Sequence, residues 1–312
     1  MQWFKKHFIT LLLVLIALAG VGLIAYPTFA DWWNSFHQSR AVASYMEAVT
    51  DLDKEQYESI LRSAEEYNEK LARKGFMWKL SEEEEKEYFK QLNVNDTGIM
   101  GYISIPKANV ELPIYHGTDE AVLQIAIGHI EGTSLPVGGE NTHCVVSGHR
   151  GLPSARLFTD IDKLVEGDHF TMSVLNKTVT YEVDQIRIVE PTDLSDLTLE
   201  KGRDYCTLVT CTPYGINSHR LLVRGHRVEN EQGDALVVAD ALVIRPLFIA
   251  PFIGGPLLVI LLVWMMLASR KRRKRNMTYE RVRAELEEKK NRKGINRELQ
   301  RKGLSDDEEI HE

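Results

Sequence analysis

The sequence predicts a mostly-β fold: a barrel of short strands, preceded by helices and bounded by two membrane-spanning segments. Between residues 99 and 228, short runs rich in β-branched and aromatic residues are separated by Gly, Pro and Asn turns, a pattern typical of barrels. Residues 38–74 instead place apolar residues at helical spacing. Two uncharged runs, residues 8–30 and 246–269, are each long enough to cross a bilayer.

Charge is distributed unevenly along the 312 residues. Residues 1–30 carry a net charge of +2, residues 31–245 carry 21 Lys and Arg against 35 Asp and Glu, and residues 246–312 carry a net charge of +5. Phosphate binding requires clustered basic charge. The acidic middle therefore argues against a nucleic-acid partner, and membrane topology explains the basic ends.

The first uncharged run predicts an N-terminal anchor over residues 1–30. Lys5 and Lys6 precede 23 residues dominated by Leu, Val, Ile and Ala, which is enough to span hydrocarbon. A cleavable signal peptide is the alternative, because the small residue Ala30 is suited to end one.

The second uncharged run predicts a C-terminal transmembrane helix over residues 246–269, after a linker at 231–245. Six consecutive basic residues, 270–275, follow it and open a charged tail, residues 270–312, to which no function is assigned. Cytoplasmic flanks carry the excess of Lys and Arg. Both termini are therefore predicted to be cytoplasmic and the acidic middle to lie outside the cell membrane. A buried apolar helix of a soluble protein is the alternative.

Residues 31–97 are predicted to form a helical extension outside the membrane. One helix is expected over residues 38–74, with its apolar stripe packed on the barrel; a protein-recognition helix is the alternative. Ser81 followed by Glu84 matches a capping box and predicts a second, short helix over residues 82–92.

Residues 98–230 are predicted to form the barrel. Asn176 and Lys177 separate two alternating runs and predict a hairpin turn. A short helix is expected at 121–127 and a partly helical segment at 155–164. The predicted strands are 99–105, 110–114, 143–147, 170–175, 179–189, 206–211 and 221–228.

Two residues on neighbouring predicted strands point to nucleophilic chemistry. Cys211 ends one strand, a loop broken by Pro213 and Gly215 follows, and Arg220 lies near the start of the next strand. This order brings the thiol and the guanidinium within reach of each other. A free thiol, with a pKa of about 8.5, is only slightly ionised at neutral pH and needs a base or a cation beside it.

The candidate base is His149, on a Gly-flanked turn that follows the strand at 143–147. A turn at a strand end can face a thiol on another strand because both lie on the rim of the same barrel. Attack of the thiolate on a carbonyl develops negative charge on oxygen, which a fixed guanidinium stabilises in the transition state. His149 would protonate the leaving group.

The remaining cysteines are interpreted as core thiols. Cys206 lies five positions before Cys211 on one strand, so alternation turns it to the opposite face. A disulfide between Cys144 and Cys206 is the alternative for an exported protein. A zinc site built from His143, Cys144, His149 and Cys211 lacks the tight paired spacing of structural zinc motifs. We therefore predict no metal and no cofactor.

Several segments, in order, resemble the sortase family. Residues 207–225 are similar to the active-site signature of sortases, and residues 147–160 to the histidine segment of their class C, pilus-assembling branch. Residues 101–106, 112–117 and 128–136 match as well. The resemblance covers roughly residues 98–228, and several long motifs in order are far more specific than a single Cys or His.

The resemblance implies an eight-stranded sortase β-barrel, with Cys211 as nucleophile, His149 as acid and base, and Arg220 as the oxyanion-stabilising cation. It implies a cysteine transpeptidase of a Gram-positive bacterium, whose acyl-enzyme is resolved by an amine. Two membrane anchors around an exported domain are also the architecture of class C sortases. The implied location is the cell membrane, with the catalytic domain outside.

The implied substrate is a surface or pilin protein with a Leu-Pro-x-Thr-Gly-like sorting signal. Cleavage between Thr and Gly would give a thioester, which a pilin lysine amine would resolve. A cell-wall precursor amine is the alternative acceptor. A catalytically silent extracellular binding module is the alternative from another functional class.

The resemblance weakens in the helical extension. Class C sortases usually carry a lid here, with an Asp-Pro-aromatic motif that plugs the active site, and the sequence has neither Asp-Pro-Phe nor Asp-Pro-Trp. Phe76, Met77 and Trp78 form the aromatic cluster nearest the expected place. Trp78 is therefore the candidate lid residue, with packing on the barrel exterior as the alternative.

Overall fold

The computed structural model describes residues 2–230, 279–295 and 297, which belong to two units, residues 1–243 and 244–312. In the second unit, residues 279–295 are helical and exposed. The predicted linker and the predicted second membrane helix, residues 231–245 and 246–269, lie outside the described residues.

The first unit begins with a long helix, α1 (Gln2–Thr50), which joins the predicted anchor to the predicted helical extension without a break. Among the described residues, Leu12–Thr50 is the one helical stretch long and apolar enough to cross a membrane. The prediction of one continuous helix over residues 38–74 was wrong, because α1 ends at Thr50. A second helix, α2 (Lys54–Lys74), starts at Asp53, whose carboxylate accepts a hydrogen bond from the Gln56 backbone N–H at 2.8 Å.

The third helix, α3 (Glu82–Tyr88), starts at the predicted Ser81 capping box but ends four residues before the predicted end. All three helices pack on one side of the barrel. Tyr45 of α1 is 1% exposed, and its hydroxyl donates to the Met100 carbonyl and accepts from the Leu175 N–H. The helical cluster therefore continues into the barrel wall.

The barrel is closed and has eight strands, as the resemblance implied. The strands are β1 (Ile99–Ile105), β2 (Val110–His116), β3 (Ile127–His129), β4 (Thr142–Ser147), β5 (His169–Val174), β6 (Lys177–Val189), β7 (Asp204–Thr212) and β8 (His219–Val228). In sheet order they run β1-β2-β3-β4-β7-β8-β6-β5, and the pairs β2/β3 and β4/β7 are parallel.

The helix predicted at 121–127 is shorter, α4 (Glu120–Leu123). The strand that follows it, β3, was not predicted, because three residues are too short to show alternation.

The side chains of strand β7 alternate between the inside and the outside of the barrel. Cys206 and Leu208 point into the barrel core, which also holds Phe158 and Ile161 of the β4–β5 connection. Val209 points outward into a separate apolar cluster. Side chains that share the parity of Val209, including Cys211, therefore lie on the outer face of the sheet.

Candidate active site

Cys211 and Arg220 are direct cross-strand partners. They lie opposite each other in the antiparallel ladder of β7 and β8, next to the pair Thr212 and His219. Directly opposed residues in such a ladder project from the same face, with Cβ atoms about 4.5–5.5 Å apart. The thiol and the guanidinium are thus side by side on the outer face, and both side chains are partly exposed.

His149 reaches the same place from the other side of β7. Strand β4 runs parallel to β7, with Ser147 beside Val209. Gly148 prolongs this register, because its N–H donates to the Val209 carbonyl at 3.0 Å and its carbonyl accepts from the Thr210 hydroxyl at 2.7 Å. Continuing this β4/β7 register past Gly148 by one residue places His149 beside Cys211.

Gly148 allows the turn to pass this close to the barrel. A Cβ atom at this position would lie 2.8 Å from side-chain atoms of both Ile127 and Phe158, which is shorter than any ordinary carbon contact. Glycine therefore lets the chain leave β4 and bring His149 onto the rim.

The imidazole and the guanidinium have few partners. Within the part of the chain that the structure describes, the buried Nε2 of His149 has no hydrogen-bond partner. Arg220 donates only to backbone carbonyls, at 3.4 Å from Asn217 and 3.1 Å from His219, and no carboxylate among those same residues forms an ion pair with it. Both groups therefore keep hydrogen-bonding capacity that the described residues do not use.

Arg150 joins the histidine turn to the cysteine loop. Its side chain is 10% exposed and forms an ion pair with Asp162. It also donates to the Thr212 hydroxyl at 3.3 Å, and its guanidinium lies 5.9 Å from the centre of the Tyr214 ring. Sequence reasoning did not single out Arg150. Its position directly after His149 was the available signal, but its partners become neighbours only in the folded barrel.

An apolar surface, which we call the apolar bed, lies next to Cys211 and Arg220 on the outer face. Phe76 packs against it, and its ring lies 6.0 Å from that of His143. The predicted lid residue Trp78 is 45% exposed and meets Phe76 edge to face at 5.6 Å. Phe76, rather than Trp78, is therefore the aromatic residue that covers this surface. The apolar bed consists of Val145, Val189, Leu197, Val209 and Leu222.

Beyond the apolar bed, the same strands carry a second His and a second Arg. His143 is fully buried, and its Nδ1 donates to the Thr198 carbonyl at 2.8 Å while its Nε2 accepts from the Thr207 hydroxyl at 2.7 Å. Burial lowers the pKa of His143 to about 4. Arg224 donates to both carboxylate oxygens of Asp184, at 3.0 and 3.1 Å.

The other two cysteines lie in the barrel core. Cys144 and Cys206 are opposite each other in the parallel β4/β7 pair, and both are free thiols. Burial raises the pKa of Cys206 well above its usual value. Cys144 faces inward and Cys211 outward, so the sheet itself separates the thiols of the zinc alternative. Over residues 2–230, 279–295 and 297, no group of three or more His, Cys, Asp or Glu side chains is arranged to hold a metal ion.

A sortase-domain family model matches residues 103–228. Sortase D of Bacillus subtilis is 34% identical over 131 residues, which are 41% of this chain and 63% of that protein. The chain therefore spans less than two thirds of that relative's length.

Two solved structures extend the comparison. The crystal structure of sortase C1 from Streptococcus agalactiae is 58% identical, with a TM-score of 0.61, and the match covers 62% of this chain and all of that one. Sortase C from Clostridium perfringens, solved with the C-terminal cell wall sorting motif, is 41% identical, with a TM-score of 0.55 and the same two coverages. The chain belongs to the sortase family of cysteine transpeptidases, and its structural neighbours are class C sortases.

Proposed function

We propose that the chain is a membrane-anchored transpeptidase that cleaves a Leu-Pro-x-Thr-Gly-like sorting signal between Thr and Gly and joins the Thr carbonyl to an amine. The observation that supports this most is the arrangement of His149, Cys211 and Arg220 at one end of three adjacent strands. Cleavage of a sorting signal also agrees with the motif in the Clostridium perfringens structure.

In the first step, the thiolate of Cys211 attacks the carbonyl carbon of the Thr residue. The carbonyl oxygen becomes an oxyanion, and Arg220, which has no carboxylate partner among the described residues, supplies positive charge beside it. The C–N bond to Gly then breaks, and His149 donates a proton to the departing amine. The product is a thioester between Cys211 and the Thr carbonyl.

In the second step, an amine attacks the thioester carbonyl and transfers a proton to His149. The C–S bond breaks, and Cys211 leaves as the thiolate. We propose a pilin lysine as the acceptor, because the structural neighbours are class C sortases. The product is then an isopeptide link between two protein subunits.

The apolar bed and its cover fit a peptide substrate. The apolar bed adjoins Cys211 and Arg220 in the register of β7 and β8, so Leu and Pro side chains of a sorting signal have an apolar surface next to the nucleophile. Phe76 occupies this surface in the present structure. We propose that residues 75–80 act as a cover that the substrate must displace, and that Phe76 is its inserted residue.

The proposed location is the outer side of the cell membrane. Helix α1 supplies an apolar segment that has no buried residue in its most hydrophobic window and is directly continuous with the catalytic unit. An uncleaved anchor of this kind would keep the barrel beside the membrane through which its substrates are exported.

Intact-mass spectrometry tests the proposed chemistry. The full chain in detergent micelles is mixed with a sorting-signal peptide, and Cys211→Ala serves as the control. We expect an adduct with the mass of the peptide up to Thr, minus water, that is missing from the control and disappears when a lysine-bearing acceptor peptide is added. Absence of an adduct in the wild type and also in a Phe76→Ala variant would contradict the proposal.

A further inference from the structure

We propose that the active-site end of the barrel faces the membrane, and that Ile216, with Tyr214, enters the headgroup region of the bilayer. This inference rests on the anchoring role proposed for α1. It goes further, because an anchor by itself leaves the orientation of the barrel open.

The first step is the depth at which α1 leaves the membrane. The uncharged run ends at Ala30, and Asp31 is followed by Trp32 and Trp33. These two rings are 42% and 51% exposed, and Phe29 contacts both at 5.8 and 6.3 Å. Exposed tryptophans directly after an apolar span are typical of the interface between hydrocarbon and water.

The second step is that the barrel contacts α1 at this same level. The Asp31 carboxylate accepts a hydrogen bond from the Arg156 N–H at 3.0 Å, and the Asn34 side-chain amide donates to the Ser154 carbonyl at 2.8 Å. No spacer therefore separates the aromatic level of α1 from the β4–β5 connection.

The third step is that α1 fixes the direction of the barrel. Tyr45, twelve residues beyond Trp33 and thus about 18 Å further along the helix, bonds the Met100 carbonyl and the Leu175 N–H. Pro27 lies before these contacts, and no proline interrupts the helix between Asp31 and Tyr45, so this stretch is a stiff connection. The end of the barrel that carries residues 154–156 must therefore be the end nearest the membrane.

The fourth step connects this end to Cys211. A Cβ atom at Gly151 would lie 3.0 Å from the Tyr214 ring, so the cysteine loop packs on the segment that leads to Ser154. Tyr214 is 62% exposed and Ile216 is 73% exposed. Two exposed side chains of this kind at the membrane-facing end match the interfacial region, which accommodates tyrosine rings and aliphatic groups together.

The bilayer is the occupant that the structure favours, since Tyr214 packs on Gly151, three residues before Ser154, which contacts the helix that would enter the bilayer. The arrangement gives the enzyme a reaction site at the height where an exported protein leaves the membrane. Holding enzyme and substrate on one surface raises their effective concentration. We therefore expect membrane-tethered substrates to be preferred over free ones.

Lipid quenching measures the orientation without using activity. A fluorophore is attached to single cysteines in the Cys211→Ala chain, reconstituted in nanodiscs whose lipids carry a nitroxide on the headgroup. Cys144 and Cys206 are 2% and 0% exposed and should not react. The three labelled variants are Trp33→Cys, Ile216→Cys and Glu140→Cys, the last being exposed beside the start of β4 at the other end.

We expect strong quenching at positions 33 and 216 and at least several-fold weaker quenching at position 140. If position 33 is quenched strongly but positions 216 and 140 are quenched equally weakly, the inference is overturned and the anchoring role of α1 stands. Weak quenching at all three positions would overturn the anchoring role of α1, and the inference with it. The proposed chemistry is measured separately and is untouched by either result.

A kinetic measurement separates a lipid contact from a peptide contact. In the Cys211 wild-type background, Ile216→Ser should reduce thioester formation several-fold with a sorting peptide tethered to a lipid in the same nanodisc. With the free peptide, the rate should stay within about two-fold. Equal loss with both substrates would assign Ile216 to peptide binding and contradict the membrane contact.

Discussion

The two ends of one outer face of the barrel each carry a His and an Arg, but the two pairs differ in their hydrogen bonding. At one end, His149 of the β4 turn and Arg220 of β8 flank Cys211, and the imidazole Nε2 has no partner in the described chain. At the other end, His143 and Arg224 lie on the same two strands with their polar atoms bonded. The apolar bed separates the two ends.

Under the proposed mechanism, the difference explains why His149 rather than His143 is the reactive histidine. His143 is buried with both nitrogens hydrogen-bonded, so it holds the β6–β7 connection to the sheet and keeps its proton. His149 has an Nε2 without a partner among the described residues, beside a thiol, so it can exchange a proton. Residue type and strand are therefore not enough to indicate function, and the state of the hydrogen bonds decides between a structural and a reactive role.

The largest expected effect should separate the two thiols of β7, the outward Cys211 and the core residue Cys206. Cys211→Ala should abolish thioester formation, because no other exposed thiol exists in the described part of the chain. Cys206→Ala should keep the reaction and lower stability by about 1 kcal/mol, since it removes a buried sulfur that contacts Met172 at 3.2 Å. Intact mass and thermal unfolding of both variants check this pair. An adduct in Cys211→Ala would contradict the assignment of the nucleophile.

The two arginines of β8 should differ next most. Arg220→Ala should lower kcat for thioester formation by about 10²–10³, as loss of an oxyanion donor does, and Arg220→Lys should recover part of it. Arg224→Ala breaks the bonds to Asp184 and should mainly lower the melting temperature. Steady-state kinetics and thermal unfolding distinguish the two outcomes. A larger loss of kcat in Arg224→Ala than in Arg220→Ala would reverse the assignment of the two ends.

His143 should make the stability of the fold sensitive to acid. Its pKa is about 4 in the folded chain and about 6.5 in the unfolded chain. The unfolded state therefore takes up the proton first, and stability is lost as pH falls from about 6.5 to 4, by roughly 3 kcal/mol at most. His143→Gln keeps a donor and an acceptor but does not titrate. Its melting temperature should fall less over this pH range than that of the wild type, and parallel curves would refute the prediction.

Much of this arrangement could be predicted from the sequence. Seven of the eight strands, the Ser81 capping box, and the opposite faces of Cys206 and Cys211 follow from alternation and turn residues. These features depend on neighbours within a few residues. The pairing of Cys211 with Arg220 followed as well, because a short loop joins their strands.

The remaining features depend on distant parts of the chain. The three-residue strand β3 exists only because β2 and β4 lie on either side of it. The bonds of His143 to Thr198 and Thr207 span 55 and 64 residues, and Asp53 divides a stretch whose apolar pattern reads as one helix. Phe76 was passed over for Trp78 because composition does not reveal which ring lies against the barrel.

The smallest expected effect concerns the apolar bed between the two ends. Phe76→Ala should raise the rate of thioester formation a few-fold, because the side chain that covers the surface next to Cys211 is removed and substrate no longer has to displace it. Trp78→Ala is the matched control, since this ring is 45% exposed and contacts Phe76 rather than the apolar bed. It should change the rate less than Phe76→Ala does. Stopped reactions analysed by intact mass give both rates.

If Trp78→Ala accelerates the reaction more than Phe76→Ala does, Trp78 is the covering residue, as the sequence predicted. If both variants slow it, residues 75–80 support the peptide site instead of blocking it, and the bed is a surface on which cover and substrate bind together.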